Sequence, residues 1–371
     1  MNLVFLVRSI GPTSMPWNDL YGIAVRSRPG LFYPPVVVNR HNSGRRGFSK
    51  GVCRGVNRRY INVGVFYALI ILVRLARRRR MNRDILLVHV HNPSLSLVAV
   101  IAKSISPNIR IVGNLHNDWP HFNIFQRCSL WLLGFVSSAF VTVSEAIVMD
   151  IPDRLRSFLQ KRGRLFSIRN GIPSEMLDYV YPLDMMQERL RDVVVVARMV
   201  PQKNVDMVLR VFSQLKNSHH LIWFSDGPLK ERVIDLAEKY GIRDRLVLKG
   251  LRPREEVFDT LSRSSVYLAC SRWEGIGVAN MEAAAMGCFP FLSKIPPHEE
   301  IGGVLGIPTF SLESDQEWVE AIDAWLAQDE ESRMKEAKRL AHEARRKFDL
   351  DETVDQYLDV YRSVYRKSNA G

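Results

Sequence analysis

Cys270-Ser271-Arg272-Trp273-Glu274-Gly275-Ile276-Gly277-Val278-Ala279-Asn280-Met281-Glu282 is the stretch whose reading decides the fold. It grows out of Ser265-Val266-Tyr267-Leu268-Ala269-Cys270, an apolar run of the length expected of a buried strand. A loop with one carboxylate and two glycines follows. A small-residue helix then runs from about Gly277 to Met286, with Gly287 placed to end it. Glu282 lies inside that helix, beyond the loop that holds Glu274, so the two carboxylates can address different parts of one extended ligand. Gly275 and Gly277 leave backbone N–H groups uncovered at the positive end of the helix, which suits phosphate or sugar oxygens. In isolation the same pattern also describes a strand, a glycine turn and a helix bearing two solvated acids. The rest of the chain decides between them.

A chain of 371 residues, 46% hydrophobic, is long enough for two soluble domains with separate cores. Cys53, Cys128, Cys270 and Cys288 are far apart and form no C-x-x-C pair, which argues for reduced thiols in a cytosolic setting and against a zinc site. Residues 1–10 lack the charged and apolar regions of a signal peptide. The longest apolar run, residues 63–73, is eleven long, well short of the roughly 20 that cross a bilayer. Net charge is +13 and uneven: residues 1–90 hold sixteen Lys and Arg against Asp19 and Asp84. A basic half beside a near-neutral half points to an anionic partner, either nucleic acid or an anionic membrane leaflet.

Secondary-structure signals alternate. Short apolar strands are expected at 2–7, 35–39, 85–90, 110–115, 140–143 and 165–168, with helices between them. Residues 40–60 are rich in Arg, Gly and Asn without a period and read as a mobile basic loop leading into a helix at about 61–80, which ends in four arginines. A further helix is expected at 15–25, and one at 145–159 that Pro152 should break. Residues 173–190 read as a connection, after which the pattern restarts at Val193-Val194-Val195-Val196 and continues to a helical section at 315–346 and a last helix at 351–366. Continuous apolar strands alternating with helices predict parallel sheets covered on both faces, in two doubly wound α/β domains.

In such sheets ligands bind beyond the carboxyl ends of the strands. Notable polar residues collect there: His91, His116 and Ser144 in the first half; Arg198, Asp226-Gly227 and Glu274 in the second. Six such placements predict two crevices facing each other across a cleft. Arg198 and Lys203 together can neutralise a diphosphate, although each alone would pass for a loop cation. Asp226-Gly227-Pro228 is most simply a tight turn. His89 and His91 share one side of a strand, but no third ligand has metal-site spacing, so packing or hydrogen-bonding roles are favoured. G-x-x-x-x-G-K-[ST], G-x-S-x-G and G-x-G-x-x-G are all absent, against P-loop, hydrolase and dinucleotide readings.

Taken in order, these residues resemble the retaining glycosyltransferases of family 4, which have the GT-B fold of two Rossmann-like domains facing across a cleft. The resemblance rests on Ala197-Arg198 with Lys203-Asn204, on Ser225-Asp226-Gly227-Pro228, on Glu274 and Glu282 as E-x7-E, and on Pro297-His298-Glu299-Glu300-Ile301. His89-Val90-His91, His116-Asn117-Asp118, Val143-Ser144 and Asn170-Gly171-Ile172 extend it into the first half. It implies an acceptor-side domain at 1–185, a nucleotide-sugar domain at 186–350 and a helix at 351–371 that returns to the first domain. Arg198 and Lys203 would bind the donor diphosphate, with Asp226 and Gly227 near the nucleotide sugar. Glu274, with the N–H groups of Gly275, Ile276 and Gly277, would hold the donor sugar, and Glu282 the ribose hydroxyls. His116 would sit near the reacting sugar, with Gly11, His91 and Ser144 on the acceptor side. No metal or other cofactor is implied. Two departures stand out: Ile10-Gly11-Pro12 replaces the usual Gly-Gly loop, and Ser225 replaces the first glycine of Gly-Asp-Gly, a milder change that a turn can accept.

The resulting expectation is transfer of a sugar from a nucleoside-diphosphate sugar to a hydroxyl of a lipid-linked or polysaccharide acceptor. Retention of configuration follows from the resemblance, as does a role in cell-surface polysaccharide or glycolipid synthesis. The basic N-terminal region then fits peripheral contact with the cytoplasmic leaflet rather than nucleic acid. The alternatives are a sugar-nucleotide epimerase or phosphorylase of the same fold, and a non-catalytic basic module that binds membrane or nucleic acid. The presence of both glutamates with both cations favours the transferase.

Overall fold

A computed structural model describes residues 2–7, 36–38, 47–53, 56–63, 65–81, 84–186, 190–216 and 220–369. The chain forms two compact units, Met1–Asn170 with Asp351–Gly371, and Gly171–Leu350.

The first unit is built on an eight-stranded sheet: β1 (Asn2–Val7), β2 (Val36–Val38), β3 (Gly47–Cys53), β4 (Val56–Val63), β5 (Leu86–Val90), β6 (Ile109–Leu115), β7 (Ala139–Thr142) and β8 (Leu165–Ser167), in the order β3-β4-β2-β1-β5-β6-β7-β8. Every pair is parallel except β3 with β4. Helices α1 (Val65–Met81), α2 (Ser96–Ile105) and α3 (Ile124–Val136) cross over between strands in the same direction, so right-handed crossovers place all three on one face. They pack side by side, α2 between α1 and α3. Beyond β7 come α4 (Glu145–Asp150) and α5 (Asp153–Lys161), separated at Pro152 as the missing N–H of proline requires.

The C-terminal helix joins this unit. Tyr357, Tyr361 and Tyr365 recur every four residues on one stripe and carry their hydroxyls to the sheet. Asn114 Nδ2 donates to Tyr357 OH (2.7 Å), Tyr361 OH meets His89 Nδ1 (2.8 Å), and Tyr365 OH donates to Asp84 Oδ1 (3.0 Å).

The second unit has an all-parallel sheet of β9 (Leu190–Val196), β10 (Leu221–Phe224), β11 (Leu246–Gly250), β12 (Ser264–Ala269), β13 (Phe289–Ser293) and β14 (Thr309–Phe310), in the order β11-β10-β9-β12-β13-β14. Val193, Val194 and Val195 in β9 and all six residues of β12 are buried, because helices cover both faces. These helices are α6 (Ser174–Val180), α7 (Val205–Gln214), α8 (Lys230–Lys239), α9 (Arg254–Arg263), α10 (Val278–Ala285), α11 (Pro296–Leu305), α12 (Asp315–Ala327) and α13 (Glu330–Lys347). The helix that returns to the first unit, Leu350–Asn369, is α14.

Three expectations need correction. Residues 47–53 and 56–63 are not a loop but an antiparallel pair, Gly47 opposite Asn62 through Cys53 opposite Val56. Val56, Tyr60, Ile61 and Val63 favour extended backbone, and β4 gains its partner β2 from tertiary context that a local arginine-rich pattern does not reveal. The following helix therefore begins at Val65 rather than near 61. Residues 173–185, expected in a connection and in the first domain, belong to the second unit: Ile172 bridges Asp349, and Ser174 Oγ donates to Arg345 O (2.6 Å). The helical section at 315–346 divides into α12 and α13, where Asp329 caps the second helix by accepting from Ser332 N (2.8 Å). The helix expected at 15–25 lies outside the described residues, as do the flanks of the strand expected at 35–39.

Arg345 fastens this border. Its buried guanidinium donates to Ala285 O (2.9 Å), Asp178 Oδ1 (2.8 Å) and Tyr181 O (2.9 Å), joining α6, α10 and α13. Arg345→Leu strands two carbonyls and should lower stability by about 2–3 kcal/mol in chemical denaturation, with little change for Asp178→Asn, whose carboxylate is largely exposed.

Candidate functional site

In the second unit the chain winds outward from β9 in both directions, to β10 on one side and β12 on the other. The crossovers leaving β9 and β12 therefore run in opposite directions, and such a switch point is where open α/β sheets bind ligands. After β9, Pro201–Lys203 forms a single 3-10 turn, ended by Asn204 with φ 51 and ψ 53, a left-handed conformation that Asn tolerates better than most residues. Three hydrogen bonds lash this turn to the loop after β12. Arg272 N donates to Gln202 O (2.8 Å), Gln202 Nε2 to Trp273 O (2.8 Å), and Arg272 Nη2 to Asn204 Oδ1 (2.9 Å).

The lashing brings Lys203 and Glu274 together. Lys203 Nζ is ion-paired and hydrogen-bonded to Glu274 Oε1, which also accepts from Ser271 Oγ at 2.7 Å. Burial alone would push the Glu274 carboxyl up. The Lys203 ammonium, the nearby His298 and the hydrogen bonds from Lys203 and Ser271 outweigh it and hold the carboxyl below its usual range. Behind Ser271, Ser293 Oγ donates to Ser271 O (2.6 Å) and meets His298 Nδ1 (3.0 Å). Burial lowers His298 to about 4, against the pull of Glu274, so the ring is neutral at pH 7.

Gly275 and Ile276 are buried, and Gly277 starts α10 with φ 78, a backbone state that favours glycine. Asn280 N donates to Gly277 O (2.9 Å), and the N–H groups ahead of it lie at the positive end of α10. Glu282, the fifth residue of α10, is buried and ion-paired with Arg254 on α9, whose guanidinium also lies 4.9 Å over the Phe258 ring.

The loop after β10 closes the floor. Met199 N donates to Asp226 O (3.2 Å) and Leu229 N to Met199 O (3.0 Å), so the loops after β9 and β10 meet backbone to backbone. A Cβ on Gly227 would lie 2.5 Å from Met199 O, which makes glycine necessary there. Asp226 is exposed; its Oδ1 accepts from Gly227 N (2.8 Å), which holds its carboxyl below the usual range. Ser225 has φ 92, so its place in the turn carries backbone strain that a glycine would not. Arg198 is exposed on the loop after β9.

In the first unit His91 and His116 end neighbouring strands. His91 Nδ1 and His116 Nε2 are 3.0 Å apart and the rings stack with centroids 5.2 Å apart, while His89 lies 4.0 Å from His91. Burial pushes all three rings down, His116 to about 4. Ser144 is buried and caps α4, accepting from Ile147 N (3.3 Å), a local structural bond. Gly11 lies outside the described residues. Among the described residues no group of three or more His, Cys, Asp or Glu could hold a metal ion.

Arg254 is the residue that sequence reasoning missed. One signal was available: a cation at the start of a helix opposes the dipole, so an arginine there has another task. His298 and Ser271 lie within quoted motifs, but their link through Ser293 spans sequence distances that no local pattern contains.

Two outcomes follow. Gly227→Ala should cost about 1–3 kcal/mol, measured by denaturant unfolding, because the new methyl meets backbone rather than a movable side chain. The neutral histidines of the first unit make it acid-labile. Their folded-state pKa values lie below the unfolded value of 6.5, so their contribution is complete above that pH and is lost as pH falls toward about 4 for His116. Hydrogen-exchange protection of β5 and β6 should drop across this window by up to about 1.4 kcal/mol per pH unit for each ring. His116→Asn should flatten the slope.

Comparison with known proteins gives this geometry a context. Residues 186–347 match the family described as glycosyl transferases group 1. The gpi3 subunit of phosphatidylinositol N-acetylglucosaminyltransferase from Schizosaccharomyces pombe is 28% identical over 106 residues, 28% of this chain and 23% of that protein. The GDP-mannose:cellobiosyl-diphosphopolyprenol alpha-mannosyltransferase of Xanthomonas oryzae is 28% identical over 134 residues, 35% of this chain and 34% of that protein. The matches thus span between about a quarter and a third of the length of these two relatives. Among solved structures, Anabaena HepE in complex with UDP and glucose aligns with a TM-score of 0.72 at 16% identity, covering 98% of this chain and all of that one. Sucrose-phosphate synthase from Thermosynechococcus elongatus aligns with a TM-score of 0.74 at 14% identity, covering 99% and 100% of the two chains. The chain has the GT-B glycosyltransferase fold of two Rossmann-like α/β units, and its residues 186–347 match the glycosyl transferases group 1 family.

Proposed function

We propose that the protein is a retaining glycosyltransferase of family 4 that moves a sugar from a nucleoside-diphosphate sugar to the hydroxyl of a lipid-linked or oligosaccharide acceptor. The observation that carries this reading is the Lys203–Glu274 ion pair at the switch point of the nucleotide-side sheet. Cleavage of the glycosidic bond leaves negative charge on the diphosphate. Lys203 and the exposed Arg198 meet that charge, Lys203 as a compact ammonium and Arg198 as a bidentate fork. Glu274 accepts hydrogen bonds from donor-sugar hydroxyls while it keeps Lys203 oriented. Glu282 accepts from the ribose hydroxyls, and Arg254 holds its carboxylate in place. The N–H groups at the start of α10 add dipole to the phosphate side. His116, neutral at pH 7, acts as a hydrogen-bond partner rather than as a proton donor. No carboxylate serves as a nucleophile. The acceptor is deprotonated by a diphosphate oxygen on the face from which the nucleotide departs, which gives retention.

Two names favour a lipid-linked acceptor: phosphatidylinositol in one relative and diphosphopolyprenol in another. The aligned Anabaena HepE structure, in complex with UDP and glucose, favours a nucleotide-sugar donor. The protein works at the inner face of a membrane, in glycolipid or polysaccharide synthesis.

Removing a preorganised charge donor typically costs about 3–4 kcal/mol of transition-state stabilisation, or roughly 10²–10³ in rate. Lys203→Ala should lose turnover on this scale, measured as nucleoside-diphosphate release, while unfolding remains cooperative. Turnover like that of the parent chain would contradict the assignment.

A further inference from the structure

Helices α2 and α3 expose an apolar stripe on the side away from the sheet. On α2, Leu97, Ile101 and Ile105 are spaced four residues apart and are 44%, 39% and 46% exposed. On α3, Phe125, Leu132 and Phe135 are 60%, 38% and 44% exposed. The opposite sides of both helices, including Val98, Ala102, Leu130 and Leu133, are buried. The two helices are therefore apolar nearly all round, although each lies on the outside of a sheet. Because α2 and α3 pack against each other, their stripes make one contiguous surface, larger than scattered exposed side chains would give.

The charge carried by these helices is of one sign. Helices α1, α2 and α3 contain no Asp or Glu, while α1 exposes Arg74, Arg77 and Arg78, and α3 carries Arg127. A second copy of the chain docked by two-fold symmetry would bring these cations against their own counterparts with no acid from the same helices to answer them. The complementary occupant is apolar in its interior and anionic at its surface. No described helix is long and apolar enough to cross a membrane, so the contact is with one leaflet.

We infer that the outer face of α2 and α3 inserts its Leu, Ile and Phe side chains into the interface of an anionic lipid leaflet, with the α1 arginines on the headgroups. The inserted stripe supplies apolar area and the arginines supply attraction to anionic lipid, the two components of interfacial binding. This extends the proposed lipid-linked acceptor by naming the docking face, and donor binding is read separately from it.

The test is sedimentation of the full chain with vesicles of phosphatidylcholine alone or of phosphatidylcholine with phosphatidylglycerol. Binding is expected to the mixed vesicles, weakened by 0.5 M salt. The triple variant Leu97→Gln, Ile101→Gln, Phe125→Gln should lose at least tenfold in partition while its thermal shift with nucleotide sugars is unchanged. A second readout needs no variant of the stripe: Trp131, stacked on Phe135 with centroids 5.6 Å apart, should be quenched by lipids brominated on the acyl chain, and Trp131→Phe should remove that quenching. Absence of anionic-vesicle binding by the parent chain would overturn the inference. So would equal binding by the triple variant, or a lipid-independent dimer that the variant abolishes. Loss of nucleotide-sugar binding with vesicle binding intact would instead count against the donor site and leave the docking face standing.

Discussion

The arrangement of the second unit depends on one buried ion pair. Glu274 is nearly shut from solvent, and a carboxylate there is tolerable only because Lys203 and Ser271 reach it. Lys203 can reach it only because β9 and β12 are neighbours and their carboxyl-terminal loops are laced by Gln202, Arg272 and Asn204. Strand order thus determines which cation meets which acid. The pair stands where the winding of the sheet reverses, the place at which open α/β sheets bind their ligands.

A second pair repeats this logic further along the same segment. Arg254 and Glu282 come from successive helices, α9 and α10, and both are largely buried. The two carboxylates therefore start with cations already in place. A ligand that brings phosphates toward Lys203 and hydroxyls toward Glu282 would exchange partners within an organised set of charges, without having to desolvate bare ones. Preorganisation of this kind is the main means by which a site stabilises charge that develops during reaction.

Much of this was legible in sequence because buried parallel strands are continuous apolar runs. Val193-Val194-Val195-Val196 and Ser265 to Cys270 announce β9 and β12, and the polar residues that follow them mark the crevice. The β3–β4 hairpin was not legible, since its arginines hide the period of two and its partner strand is distant in sequence. Arg254 was not legible because its partner lies 28 residues away and the contact is set by how α9 and α10 pack. The border at Gly171 was hidden for a similar reason: Arg345, far down the chain, draws α6 into the second unit. Residues 187–189, just before β9, lie outside the described residues.

The proposed function requires a nucleoside-diphosphate sugar to bind at the loops that follow β9 and β12. Titration calorimetry of the full chain with UDP-, GDP- and ADP-sugars, each competed by its free nucleoside diphosphate, tests it most directly. One base is expected for which both sugar and free diphosphate bind at one shared site, with affinity that falls when Glu282→Gln is introduced. Failure of every nucleotide sugar and every nucleoside diphosphate to bind, in a chain that unfolds cooperatively, would contradict it.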